Sequence, residues 1–191
     1  MKVLGIVCSP RRGGNTEVMV RTALEKAQQR GAETELISLA GKTISPCDAC
    51  FSCEKTGKCH IKDDMQYIYH KLLEADGVIF GTPVYFWNVT AQAKALIDRT
   101  YSLYEKSGLR NKAAGVVVTE QRSGSANAIA TFNGFFAIQK MIMVGWADGI
   151  SGDEGYANKE AVRKDKKGMG RAEALGEKMV AYLKTGKTVS L

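Results

Sequence analysis

No stretch of the 191 residues approaches the roughly 20 consecutive apolar positions of a membrane-spanning helix. The opening MKVLGIVCSPRR meets arginines and glycines at once, so neither a signal-peptide core nor a small-residue cleavage site can be read there. A cytoplasmic protein with no membrane partner is expected. Two nucleotide fingerprints are also missing: there is no G-x-x-x-x-G-K-[ST], and no G-x-G-x-x-G opens a helix. That counts against ATP and against a permanently bound dinucleotide. No internal repeat, low-complexity tract or linker divides the chain, and its 45% hydrophobic and 25% charged content is ordinary for a globular protein. One domain over residues 1–191 is expected.

What is present begins with charge. Lys and Arg number 27 against 20 Asp and Glu, a formal balance of +7. Much of the excess sits in NKEAVRKDKKGMGR, where acidic residues are interspersed and no aromatic platform accompanies the bases. This reads as a solvated face, so nucleic acid is not an expected partner.

Short runs rich in Val and Ile alternate with amphipathic stretches. KVLGIV (2–7), TELISL (34–39), GVIF (77–80), AAGVVV (113–118) and MIMVGW (141–146) read as buried strands, with helices at about 15–30, 64–75, 90–106, 126–140 and 169–184. Such alternation predicts an α/β fold, a doubly wound five-stranded parallel sheet with helices on both faces. Ligands then bind beyond the carboxyl ends of the strands.

The loop after the first strand is CSPRRGGNT (8–16). Ser9, Asn15 and Thr16 supply polar donors, Gly13 and Gly14 free the backbone to turn N–H groups inward, and a helix start adds partial positive charge. A plain strand-to-helix turn capped by Asn15 or Thr16 is the alternative; Arg11 and Arg12 favour an anion. A mononucleotide with a terminal phosphate fits. After the third strand, Pro83 fixes the backbone and Tyr85, Phe86 and Trp87 follow. Three consecutive aromatics in a loop call for a flat ring to stack on them or a partner subunit to cover them. Lys94, Asp98 and Arg99 on the next helix read as a surface or inter-subunit ion pair. After the fourth strand, TEQRSGSAN (119–127) offers Thr119, Gln121 and Ser123 to the polar edge of such a ring.

Residues 40–62 form a long structureless stretch after the second strand, and loops of that length usually have a function of their own. Cys47, Cys50, Cys53 and Cys59 fall there within thirteen positions. In a reducing compartment such a group holds metal or does redox chemistry rather than forming structural disulfides.

The three strand-end loops together resemble the flavodoxin-like flavoproteins, and among them the NAD(P)H-dependent FMN reductase group. With the cysteines added, the pattern resembles the iron-sulfur flavoproteins, from residue 2 to about 146. The resemblance implies FMN held by Ser9, Arg11, Asn15 and Thr16 at its phosphate. It implies Pro83, Val84, Tyr85, Phe86, Trp87 and Asn88 around the ring, and Thr119, Gln121, Ser123 and Gly124 at the ring edge. It also implies a [4Fe-4S] cluster on Cys47, Cys50, Cys53 and Cys59, and a homodimer or homotetramer in which the cluster of one subunit lies near the flavin of another. Cys8 departs from the glycine often found in the family's phosphate loop.

The spacing Cys47-x2-Cys50-x2-Cys53 with a further cysteine is that of cubane-binding runs in bacterial ferredoxins. Zinc sites more often pair two Cys-x2-Cys knuckles across a longer span. Zinc, or a reactive or vestigial thiol group, stays open as the alternative. His60 reads as a substitute ligand or a surface residue, Asp63 and Asp64 as a helix cap and dipole partner, and His70 as solvent-facing. Lys55 and Lys58 would moderate a cluster's charge. The expected function is electron passage between FMN and the cubane, with NAD(P)H as a transient reductant and a soluble donor or acceptor, a ferredoxin-like protein or a small molecule. The alternatives are an NAD(P)H-dependent FMN or quinone reductase with a structural or vestigial cysteine loop, and a zinc or thiol redox-sensing module.

Overall fold

The computed structural model of the chain describes residues 1–186; positions 187–191 of the expected domain lie outside the described residues. Five strands, β1 (Lys2–Val7), β2 (Glu33–Ser38), β3 (Gly77–Pro83), β4 (Ala113–Glu120) and β5 (Ile142–Ile150), form one sheet in the order β2-β1-β3-β4-β5. Every neighbouring pair is parallel. The winding reverses between β1 and β3, the switch point at which such sheets bind ligands.

The helices are α1 (Asn15–Gln29), α2 (Ser52–Thr56), α3 (Met65–Glu74), α4 (Ala91–Arg99), α5 (Tyr101–Tyr104), α6 (Ser125–Gln139) and α7 (Lys166–Thr185), with two 3-10 turns at Asp153–Tyr156 and Ala161–Lys164. Successive strand residues feed two cores. Leu4, Ile6, Val78 and Phe80 point to one, with Ile68 and Leu72 of α3, Leu96 of α4 and Phe132 and Phe136 of α6. Val3, Val7 and Ile79 point to the other, with Met19 and Val20 of α1 and Leu175 and Met179 of α7. A strand covered on both faces is apolar at every position, which is why these runs are unbroken rather than alternating.

The sheet extends past the apolar runs. β4 continues to Glu120 and β5 to Ile150, because a parallel ladder needs only backbone partners, and Thr119 and Glu120 pair with Gly149 and Ile150. A bulge interrupts that ladder between Ala114 and Gly115, opposite Gly145, whose φ of 154° suits glycine. The helix expected over 90–106 divides at Thr100 into α4 and α5, and the 40–62 stretch contains α2.

Helices α1 and α7 pack so closely that a Cβ on Gly176 would lie 2.0 Å from the Ala23 carbonyl oxygen. Gly176→Ala should therefore destabilise the fold by about 1–3 kcal/mol through overpacking, although alanine favours an isolated helix by about 1 kcal/mol. Urea denaturation checks it; a more stable variant would mean that the helices have room to spare.

Candidate functional site

The β1–α1 loop is pinned at its start. Cys8 N–H donates to the Gly81 carbonyl at 2.7 Å, and Thr90 Oγ1 donates to the Cys8 carbonyl at 2.7 Å. The Cys8 thiol is fully buried, and burial pushes it up to about 12. It is thus a small core side chain under the loop. Gly13 turns through φ 64° and gives its N–H to Glu17 Oε2 at 2.8 Å. Helix α1 begins without a side-chain cap: Gly14 stands at the N-cap, so the capping alternative for Asn15 or Thr16 does not hold. First-turn N–H groups have no intrahelical acceptors.

Asn15 and Arg11 reach across instead. Asn15 Oδ1 accepts from Val162 N–H at 3.0 Å, and the Arg11 guanidinium donates to the Gly155 and Tyr156 carbonyls at 2.8 and 3.0 Å. Both tie the segment after β5 to the β1–α1 loop. Thr16 and Thr119 share a buried hydroxyl hydrogen bond of 2.6 Å that joins the first loop to the end of β4.

At the end of β3, Val84 N–H donates to the Thr119 carbonyl, and Tyr85 and Asn88 exchange backbone hydrogen bonds of 2.8 and 3.0 Å. Phe86 and Trp87 form the intervening turn with φ of 46° and 63°, a left-handed backbone that bulky residues seldom adopt. Phe86 is fully exposed and Trp87 63% exposed.

These loops enclose a cavity of about 450 Å3, a size typical of ligand pockets. Of the residues expected from sequence, Ser9, Arg11, Asn15, Thr16, Pro83, Val84, Tyr85, Phe86, Thr119 and Gln121 line it. Trp87, Asn88, Ser123 and Gly124 do not. Asn88 holds the aromatic turn, its Oδ1 accepting from Val89 N–H and Thr131 Oγ1. Gly124 packs against Val84 and the Trp87 backbone, where a Cβ would meet Val84 Cγ1 at 2.8 Å. Ser123 is exposed.

Sequence reasoning missed Glu120 and the strap after β5, of which Ser151, Gly152, Gly155 and Tyr156 line the same cavity. The strap is fastened by Tyr156 Oη donating to Gln121 Oε1 at 2.9 Å and by Arg122 bridging Asp153 at 2.9 Å. Buried Glu120 holds the start of α6 by accepting from Ser125 N–H at 2.7 Å. The sequence SGDEGY carries the same polar, glycine-bearing signal as the loop after β4. Its place after a strand has no apolar marker, because β5 runs on to Ile150, four residues past the end of MIMVGW.

Cys47, Cys50, Cys53 and Cys59 are all free thiols, and all four line a second cavity of about 640 Å3 walled by Phe51, Tyr101, Phe135 and Ile138. The two cavities share no lining residue. Ala49, Phe51 and Gly57 adopt positive φ as the loop doubles back. Burial raises the Cys53 thiol, and the charges of Cys59, Cys50 and Cys47 raise it further, so the four sulfurs feel one another. Among the described residues the one trio of His, Cys and acidic donor atoms within 4.8 Å of one another is Asp48, Cys50 and His60. His60 Nε2 and Asp48 Oδ2 lie 2.7 Å apart. His70 faces solvent as expected.

Lys94 and Asp98 form an exposed pair, but Arg99 corrects the surface reading. Its side chain is completely buried and bridges Asp63 at 2.7 Å. Asp63 also accepts from Met65 N–H, while Asp64 stands at the N-cap of α3 but makes no side-chain cap and accepts from Thr43 N–H instead, so the expected cap does not form. Among the described residues no helix is long and apolar enough to cross a membrane.

A family model for NADPH-dependent FMN reductase matches residues 1–151. An iron-sulfur flavoprotein of Methanocaldococcus jannaschii is 42% identical over 189 residues, covering 96% of this chain and 98% of that protein. An iron-sulfur flavoprotein of Methanosarcina thermophila is 41% identical over 148 residues, covering 76% of this chain and 78% of that protein. Among solved structures, RosB with its bound intermediate 8-demethyl-8-formylriboflavin-5'-phosphate aligns with a TM-score of 0.77, over 99% of this chain and 82% of that one. At 15% identity that likeness concerns the fold alone.

The Asp63 carboxyl carries a pH dependence. Burial alone would raise it, but the Arg99 guanidinium and the N–H groups of Ser45 and Met65 bring it below the ordinary 3.8. Its stabilising contribution is therefore complete above the unfolded-state value and lost as pH falls through the lower folded one. Asp63→Asn should destabilise the chain at pH 7, with the difference from wild type shrinking below about pH 4. Urea titrations at pH 7, 4 and 3 measure this.

Proposed function

The chain belongs to the NADPH-dependent FMN reductase family and, within it, to the iron-sulfur flavoproteins, which makes it a flavin-dependent oxidoreductase; we propose that it carries electrons between FMN and a [4Fe-4S] cluster. The carrying observation is the pairing of two separate cavities, one built for a phosphate-bearing flat ring and one lined by all four clustered thiols.

The first cavity fits FMN. Gly14, Asn15 and Thr16 bring the uncapped start of α1 to its wall, where N–H groups without acceptors favour a phosphate. Pro83, Val84, Tyr85 and Phe86 would flank the ring, Thr119 and Gln121 would meet its polar edge, and the Tyr156 strap would limit access of water. The second cavity fits a cubane better than a single ion. Four thiolates on one zinc would stand about 4 Å from each other, and no such gathering of the cysteine sulfurs occurs among the described residues. A cubane would be held by Cys47, Cys50, Cys53 and Cys59, one iron to each thiolate. When bound, FMN exchanges electrons singly or in pairs and the cubane singly, so a chain holding both links two-electron donors such as NAD(P)H to one-electron carriers.

The uncovered rings of Phe86 and Trp87 at one cavity, and of Phe51 with Ile138 at the other, support a homodimer or homotetramer that covers them. The external partner is a soluble electron donor or acceptor.

Protein purified without oxygen should contain one FMN and about four iron and four sulfide per chain. Cys50→Ala should lose iron and sulfide while keeping flavin. Wild-type protein with flavin but no iron or sulfide would leave the cysteine loop a structural element of a plain NAD(P)H-dependent reductase.

A further inference from the structure

Arg99 ends α4 on the wall of the cysteine cavity, yet its side chain is wholly buried. An arginine so enclosed must be paired, because a bare buried charge is costly. Its fork grips Asp63 with both arms, Nη1 to Oδ2 at 2.7 Å and Nη2 to Oδ1 at 3.1 Å. The same two nitrogens donate to the carbonyls of Ser45 at 2.9 Å and Ile61 at 3.4 Å. Asp63 closes the ring by accepting from Ser45 N–H at 2.9 Å. Ser45 lies two residues before Cys47 and Ile61 two residues after Cys59. One guanidinium thus clamps both ends of the segment that carries every clustered thiol, and no lysine could make these planar, divergent contacts.

The pair is also polarised. Arg99 belongs to the wall of the cavity that all four thiols line, and Asp63 does not. The other charged residues around the cavity, Asp48, Lys94 and Asp98, reach solvent, which screens them. Among the described residues the buried Arg99 Nε–H finds no hydrogen-bond acceptor.

We propose that Arg99 is the positioning residue of the cysteine cradle and the buried cation that raises the reduction potential of the cluster held there. This rests on the cluster assigned above. Each added electron makes a thiolate-bound cubane more negative, and a nearby unscreened cation favours that reduced state.

The test uses the whole chain purified anaerobically as wild type, Asp63→Asn, Arg99→Lys and the double variant Arg99→Met with Asp63→Asn, which removes the pair without leaving an orphaned charge. Iron, sulfide and FMN are counted, the cluster potential is measured by redox titration, and iron loss to a chelator is timed. Asp63→Asn should shift the potential upward, the double variant should shift it downward, and Arg99→Lys should hold it near wild type. Iron loss should be at least tenfold faster in Arg99→Lys and the double variant, where the fork is gone. Potentials that stay at the wild-type value in both Asp63→Asn and the double variant overturn the proposal. If the double variant takes up no cluster, Asp63→Asn decides alone, since it keeps the cation. Wild-type protein without iron and sulfide sinks the cluster assignment instead, a result distinct from any of these.

Discussion

Parallel pairing of strands is the constraint from which the rest of the molecule follows. A parallel neighbour can be reached only by a crossover, crossovers lay helices over both faces, and the carboxyl ends of all five strands then emerge along one edge. The loops after β1, β3, β4 and β5 meet there because they have no other place to go. Their convergence is fastened by a few short contacts, above all the buried hydroxyl pair of Thr16 and Thr119, which come from segments about a hundred residues apart. The first cavity is thus a property of strand ends, supported from beneath by the sheet.

The cysteine cavity is built differently. Its donors sit on an irregular loop with a single short helix, and the loop owes its shape to side-chain contacts rather than to a ladder of backbone bonds. A loop with few buried apolar contacts of its own occupies the low end of local stability. Contacts at its two stems therefore matter more than any one within it.

Much of this was readable from residues alone. The Val and Ile runs named all five strands; in the central β1, β3 and β4, burial on both faces leaves an unbroken apolar signature, and the clustered cysteines announced themselves by spacing. The polar, glycine-bearing loop after β1 was legible too, and it lines the first cavity through Ser9, Arg11, Gly14, Asn15 and Thr16. Other features had no local signature. Arg99 looks like any arginine at a helix end, and its burial is decided by Asp63, 36 residues away, meeting it across the fold. Arg11 and Asn15 line the first cavity and also grip a strap more than 140 residues downstream, a contact no local sequence pattern carries. That strap lay beyond the end of an apolar run, where β5 continues on backbone pairing alone.

The aromatic turn has a practical corollary. The chain has two tryptophans; Trp87 stands in the turn beside the first cavity, while Trp146 lies out on the edge strand β5. An indole held in open water on a left-handed backbone emits according to whatever comes to rest upon it. Intrinsic emission, corrected with a Trp146→Phe background, thereby becomes a built-in gauge of what occupies that rim, without any label attached to the protein.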